Sequence, residues 1–294
     1  MKTRSWLFVP GDSEAKLAKA ASVGADVVVV DLEDAVAPPA KASARELAAR
    51  WLGAHSRQVV AGGGFGRFVR INALSSHLWR DDLIAAMQGR PDGIMVPKVA
   101  EPDQLRILAA EIYEQEQRNA VPSGSTRILP QLGETPLSAL SIPDYAREDM
   151  PRLAGLTWGA EDLASAIGAT RKRDASGQWA DVFRMVRAQV LLAARSRSLT
   201  PIDTIHADYR DLSALKAIAE ASCADGFAGM LAIHPDQVPV INAAFTPTPE
   251  QVEQAQTIVD LFAANPGAGA LPLDGRMVEK PHLDWARRIL DRAG

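Results

Sequence analysis

Short, unbroken apolar runs recur along the chain, separated by longer stretches in which apolar and charged positions mix. The runs are Trp6-Leu7-Phe8-Val9, Val27-Val28-Val29-Val30, Phe68-Val69-Arg70-Ile71, Ile94-Met95-Val96, Arg127-Ile128-Leu129, Leu156-Thr157-Trp158, Pro201-Ile202-Asp203-Thr204-Ile205 and Met230-Leu231-Ala232-Ile233. Runs of this kind fit strands buried on both faces, as in parallel sheets. The stretches between them have helix length and are rich in Ala, Leu, Arg and Glu, as at residues 43–52 and 182–195. Eight strand–helix units before residue 240 predict an α/β protein, a (β/α)8 TIM barrel over residues 1–245. An open doubly wound sheet would carry a Gly-rich phosphate loop after the first strand. Pro10-Gly11-Asp12-Ser13 stands there instead.

Residues 246–294 predict a helical extension. Thr248-Pro249-Glu250-Gln251 reads as a capping box with Pro at the first helical position. Val252, Ala255, Ile258, Val259 and Phe262 form one apolar stripe, and Asn265-Pro266-Gly267 stops the helix. A loop over 267–279 and an amphipathic helix over 281–290 complete it. Gly62-Gly63-Gly64-Phe65-Gly66 invites a nucleotide-loop reading but lacks the Gly-Lys-Ser/Thr ending and precedes a strand, so a flexible turn is expected.

Composition narrows the function. Of 294 residues, 32 are Lys or Arg and 36 are Asp or Glu. That net charge of −4 gives no global attraction to nucleic acid or anionic lipid. No apolar stretch approaches the ~18 residues of a membrane span, and the N-terminal run is too short for a signal peptide. A single cysteine, Cys223, excludes an intramolecular disulfide framework and fits a reducing compartment, so a cytoplasmic protein is expected.

Catalytic groups of a TIM barrel follow its strands, at the C-terminal face. Sorting the sequence by that rule collects Asp31, Glu33 and Asp34 after strand two, Arg70 and Asn72 from strand three, and Lys98 after strand four. Glu134 follows strand five, Gly159-Ala160-Glu161-Asp162 strand six, Asp203 belongs to strand seven, and His234 follows strand eight. Arg70 inside an apolar strand pattern is costly unless paired. Two carboxylates from separate strand ends, Glu134 and Asp162, suit a hard divalent cation, Mg2+ with Mn2+ as substitute. No zinc-type His or Cys pattern is present. Arg70 can grip a carboxylate with two hydrogen bonds, and the amides of Gly159, Ala160 and Glu161 at a helix start offer an anion seat. Metal, arginine and amide seat together suit a 2-oxo acid. Lys98 leaves a Schiff-base alternative open.

These segments, taken in order, resemble a known family. Arg4-Ser5-Trp6-Leu7-Phe8-Val9-Pro10-Gly11, Asp31-Leu32-Glu33-Asp34-Ala35-Val36, Val69-Arg70-Ile71-Asn72, Val96-Pro97-Lys98, Glu134-Thr135, Trp158-Gly159-Ala160-Glu161-Asp162-Leu163 and Ala232-Ile233-His234-Pro235 are similar to the HpcH/HpaI aldolase superfamily, in its citrate lyase beta subunit-like branch. The resemblance implies a Mg2+-dependent carbon–carbon lyase that cleaves or forms a malyl-, citramalyl- or citryl-type CoA thioester. The products would be an oxo-acid and an acetyl-CoA-like thioester. It implies Glu134 and Asp162 as metal ligands, Arg70 as holder of the oxo-acid, and a homo-oligomer, trimer or hexamer. Leu273 to Pro281 looks like the lid motif of the free-CoA enzymes, with Glu279 where family members usually carry Asp. Glu279 is then the proton-transfer group. Asp31, Glu33 and Asp34 are expected to orient Arg70, Lys41 and metal-bound water, and Arg4 and Lys16 to meet the CoA phosphates. The competing readings are a phosphoenolpyruvate-using branch of the superfamily, a CoA-independent Mg2+ aldolase for free oxo-acids, and a non-catalytic acyl-CoA-binding protein. Intact Glu134, Asp162 and Arg70 argue against the last, and the lid motif against the aldolase.

Overall fold

The computed structural model describes residues 2–56 and 64–293. Gly62 and Gly63 of the glycine run lie outside them. The chain divides into two compact units, Thr3–Asn242 and Ala243–Gly294.

The first unit is a closed barrel of eight parallel strands in sequential order. They are β1 (Ser5–Pro10), β2 (Val27–Asp31), β3 (Gly66–Arg70), β4 (Gly93–Val96), β5 (Arg127–Leu132), β6 (Gly155–Trp158), β7 (Thr200–Asp203) and β8 (Gly229–Ala232). All eight apolar runs form strands. The four valines of β2 are fully buried, as a doubly covered parallel strand requires. Helices α1 (Glu14–Ala20), α2 (Lys41–Ala54), α3 (Trp79–Gln88), α4 (Pro102–Arg118), α5 (Pro136–Ser141), α6 (Ala160–Ala166), α7 (Asp181–Ser196), α8 (Leu212–Asp225) and α9 (Gln237–Ala244) follow the strands.

Inside the barrel, Trp6, Val27, Val29, Phe68, Met95, Leu129, Ile202 and Leu231 form one apolar cluster. Side chains alternate across a strand. One step of two along β3 and β5 from Phe68 and Leu129 therefore places Arg70 and Gln131 on the same inner face, nearer the C-terminal ends. Register does the rest. Asp31 of β2 is the direct neighbour of Arg70 of β3, and Gln131 of β5 that of Thr157 of β6. Parallel pairing that buries the valines of β2 thus also delivers a carboxylate to the arginine.

The second unit holds α10 (Pro249–Ala264), β9 (Ala270–Leu273), β10 (Arg276–Glu279) and α11 (Lys280–Ala293). The expected capping box on α10 is present, with Thr248 accepting from the Gln251 amide. Ala255, Ile258, Ala286 and Ile289 form its core. The expected loop over 267–279 is instead an antiparallel hairpin. Asp274 and Gly275 at its tip have φ of +49° and +77°. Positive φ at both positions is what a tight two-residue hairpin turn needs, and Asp-Gly supplies it. That dipeptide was the sequence signal for the hairpin.

Candidate active site

The site is built on strand ends and the loops that follow. Asp31 closes β2 and is 1% exposed. Its carboxylate accepts Arg70 Nε at 2.8 Å, Arg70 Nη2 at 2.6 Å, and the amides of Glu33 and Ala35 at 2.9 and 3.2 Å. Burial alone would raise its pKa, but the Arg70 guanidinium and these donors hold it below the usual carboxylate range. Arg70 Nη1 lies 3.2 Å from Glu33 Oε2, and its guanidinium stands 4.6 Å above the Phe8 ring. The Nε–Nη2 edge, which could clasp a carboxylate, is therefore already engaged by Asp31. The remaining N–H groups belong to a guanidinium whose plane is fixed.

Lys41 makes three short contacts, to the carbonyls of Leu32 and Glu33 at 2.6 and 2.7 Å and to Asn72 Oδ1 at 2.9 Å. It braces the backbone of the acidic loop after β2. The ammonium takes carbonyl oxygens, and Asp31, Glu33 and Asp34 act on it through their charge. Burial pushes its pKa down. Asn72 in turn donates to the wholly buried Asp82, which Arg45 neutralises at 2.7 Å. Sequence reading passed over Asp82 and Arg45.

Lys98 follows β4 with φ +54°, a left-handed conformation uncommon for a residue with a side chain. That turn points its backbone amide at Glu134 Oε2, to which it donates. Its ammonium lies 2.6 Å from Glu33, 3.2 Å from Asp34 and 3.5 Å from Asp162. Burial works against its charge, but Glu33 and the other carboxylates raise its pKa above the ordinary lysine value. A Schiff-base nucleophile must be a neutral amine, so the Schiff-base alternative is not favoured here. Burial, by contrast, outweighs Arg70 and Lys98 at Glu33 and raises that carboxyl.

Glu134 and Asp162 come together. Glu134, 1% exposed, accepts Gln131 Nε2 at 2.6 Å. The Asp162 carboxyl lies near enough for its charge to act on that of Glu134. Burial first, then the neighbouring Asp162 and Glu33, push the Glu134 pKa well above the usual value. Gly159 makes room for this pair. A Cβ there would stand 2.6 Å from Glu134 Cγ and 2.8 Å from Gln131 Nε2. Gly159 donates its amide to the Leu132 carbonyl, so that amide is not part of an anion seat. Glu161 pairs with Lys172, and with Asp162 it puts two acids in the first turn of α6. An anion seat of Gly159, Ala160 and Glu161 is therefore poorly supported, because one amide is used and the charges oppose it.

Five carboxylates, Asp31, Glu33, Asp34, Glu134 and Asp162, thus share three cations, Arg70, Lys41 and Lys98. A divalent cation restores the balance. Among the described residues no group of three His, Cys, Asp or Glu side chains is placed to hold a metal. Two carboxylates that leave the remaining positions to water and substrate oxygens fit Mg2+. A cavity of about 360 Å3 opens beside them, lined by Phe8, Arg70, Gln131, Asp162, Thr204 and Ile233 among others.

Other expected residues lie elsewhere or do other work. Arg4 precedes β1, at the opposite ends of the strands, and clasps Asp26 through Nε and Nη2, both at 2.8 Å. It does not border the cavity. Lys16 is exposed on α1. Asp203 is buried, taking Trp158 Nε1 at 2.8 Å, Arg187 at 2.9 Å and Ser222 at 2.7 Å, and so ties β6, β7, α7 and α8 together. His234 stacks on Tyr209. Glu279 is exposed at the end of β10 in the second unit, its amide donating to His282 Nδ1 at 3.0 Å. Gln131 was missed, although a polar residue on the inner face of an apolar strand is the signal that singled out Arg70.

Comparison with known proteins bears on this geometry. The family model for HpcH/HpaI aldolase/citrate lyase matches residues 4–235. A (3S)-malyl-CoA thioesterase of Cereibacter sphaeroides is 33% identical over 99% of this chain and 94% of its own length. The mitochondrial citramalyl-CoA lyase of Mus musculus is 31% identical over 99% of this chain and 86% of its own. Protein CitE of Mycobacterium tuberculosis, solved in complex with magnesium, acetoacetate and coenzyme A, is 32% identical and superposes with a TM-score of 0.78 over 100% of this chain and 98% of that one.

Proposed function

The chain belongs to the HpcH/HpaI aldolase/citrate lyase family, and from that premise we propose that it is a Mg2+-dependent carbon–carbon lyase for a 3-hydroxyacyl-CoA thioester of the malyl or citramalyl type. The observation that carries this reading is the buried Glu134 carboxyl beside the half-buried Asp162, in a cluster where five carboxylates meet three cations next to Arg70. The relatives supply the rest of the support, one with magnesium, an oxo-acid and coenzyme A bound together.

Glu134 and Asp162 would hold the metal, which supplies Lewis acidity to the substrate's hydroxyl and carboxylate oxygens. In the cleavage direction a base takes the hydroxyl proton, the oxygen's electron pair forms the carbonyl, and the bond between the carbinol carbon and the thioester α-carbon breaks. Its electron pair passes to the α-carbon as a thioester enolate, leaving the oxo-acid. Arg70, fixed by Asp31, places positive charge beside the substrate's anionic groups at no cost in reorganisation. Lys98 holds Glu33 and Asp34 and, through its backbone amide, Glu134. The carboxyl of Glu279 gives the proton that converts the enolate carbon to the methyl or methylene product; the support here is the family resemblance and the exposure of that side chain.

The test is a panel of malyl-, citramalyl- and citryl-CoA assayed with Mg2+, with oxo-acid and free thiol detected separately. Oxo-acid release that EDTA abolishes is the expected result. Thiol release with the hydroxy acid left intact would instead assign hydrolysis, the activity in the name of the Cereibacter relative. No product from any thioester would overturn the reading.

A further inference from the structure

Gln131 does two things in the site, and one of them is incomplete. Its Nε2 donates to Glu134 Oε1 at 2.6 Å. Its Oε1 is shielded from solvent and accepts no hydrogen bond. That contact fixes the amide with its NH2 group toward Glu134 and its carbonyl oxygen turned away. A shielded acceptor without a donor is costly. The side chain is 6% exposed and lines the cavity next to the carboxyl pair. Gly159 keeps the space that the Gln131–Glu134 contact occupies. The last torsion of glutamine is soft, so a small turn brings Oε1 to a ligand that fills the cavity.

What the acceptor can take is limited by its chemistry. A carbonyl oxygen has no hydrogen to offer it, whereas a hydroxyl has. In the proposed reaction one oxygen changes between these two states, hydroxyl in the thioester and carbonyl in the oxo-acid. Gln131 touches Glu134, one of the two carboxylates that would hold the metal in the proposed site. We propose that Gln131 is a specificity-determining residue whose Oε1 accepts the hydroxyl hydrogen of the bound hydroxy acid and gives nothing to the oxo-acid. This inference rests on the reading of Glu134 and Asp162 as the metal-holding pair of an oxo-acid site.

Thr157 provides the control. It pairs with Gln131 in the β5–β6 register and is fully buried, and its Oγ1 likewise has no hydrogen-bond partner. It does not line the cavity. Lactate and pyruvate differ in the oxygen at issue and serve as probes. Their dissociation constants on the Mn2+-loaded protein are read by water-proton relaxation, after the Mn2+ affinity of each variant has been measured alone.

Gln131→Met is expected to weaken lactate about tenfold and pyruvate by less than about threefold at saturating Mn2+, the loss of one hydrogen bond. Thr157→Val should leave both within about twofold. Equal weakening of the two acids in Gln131→Met, or the same pattern in Thr157→Val, overturns the proposal and leaves the oxo-acid reading intact. A wild-type protein that binds Mn2+ but neither acid overturns both. Loss of Mn2+ binding in Gln131→Met, with the variant folded, would show that holding Glu134 is its whole role and would likewise overturn the inference.

Discussion

The two ends of the barrel solve the same electrostatic problem in opposite ways. At the N-terminal ends of the strands three buried or half-buried carboxylates each have their own guanidinium. Arg4 clasps Asp26, and Arg67 takes Asp92 while spending further N–H groups on the Leu52 and Arg90 carbonyls. Arg152 reaches both oxygens of Glu116 at 2.8 Å, and the amides of Gly124 and Thr126 complete that carboxylate. At the C-terminal ends five carboxylates share three cations, burial and neighbouring carboxylates push the Glu134 pKa well above its usual value, and Glu33 Oε2 and Gln131 Oε1 lack hydrogen bonds. Satisfied pairs belong where the chain needs stability, and an unbalanced cluster where a ligand is to supply what is missing.

Breaking the C-terminal end should change chemistry most. Glu134→Ala is expected to lower turnover by more than about 10³-fold, since a lost metal costs several kcal/mol of transition-state stabilisation. Because it also removes a surplus buried charge, the metal-free variant should melt no lower than the metal-free parent; calorimetry beside the oxo-acid assay checks both. Arg70→Lys should cost roughly 10²–10³-fold, because an ammonium cannot keep the planar contact with Asp31 while facing substrate. Glu279→Gln should lose a similar amount with pyruvate binding unchanged, and undiminished turnover would remove it from proton transfer.

The same surgery at the other end should behave in reverse. Arg152→Ala leaves Glu116 buried and unpaired, a loss of about 3–5 kcal/mol, and Tm should fall on the order of 10 °C with kcat unaltered. A matching fall in kcat would mean that the two ends are not independent.

The smallest effect is a difference in pH response. Burial alone would raise the Glu116 pKa, but Arg152 and the two amides hold it below its ordinary value. Its contribution is present above the unfolded carboxylate range and is lost as pH falls through the folded value. Glu134 is shifted up, so its contribution is complete below the unfolded range and is lost as pH rises through the folded value. Melting of the metal-free protein should therefore show a maximum in the weakly acidic range. In Glu134→Gln the alkaline-side decline should flatten, and a curve superimposable on the parent would contradict the assigned cause.

Much of this was legible in one sequence. Eight buried-strand runs and the intervening helices specify a barrel, because apolar runs covered on both faces have few other ways to pack. The position of a residue relative to its strand end is also a local property, so Arg70, Glu134 and Asp162 could be picked out by order along the chain. So could the capped helix α10, since Thr248 and Gln251 act within one turn.

Partnership was not local, and the tertiary structure alone decided it. That Arg70 would spend one edge on Asp31 depends on the β2–β3 register. Lys41 bracing two carbonyls, Lys98 turning left-handed to reach Glu134, and Arg4 sitting at the far end with Asp26 all depend on closure of the sheet. A sequence states which charges exist and on which strand. Which charge meets which is set by register and burial, and those are properties of the closed barrel.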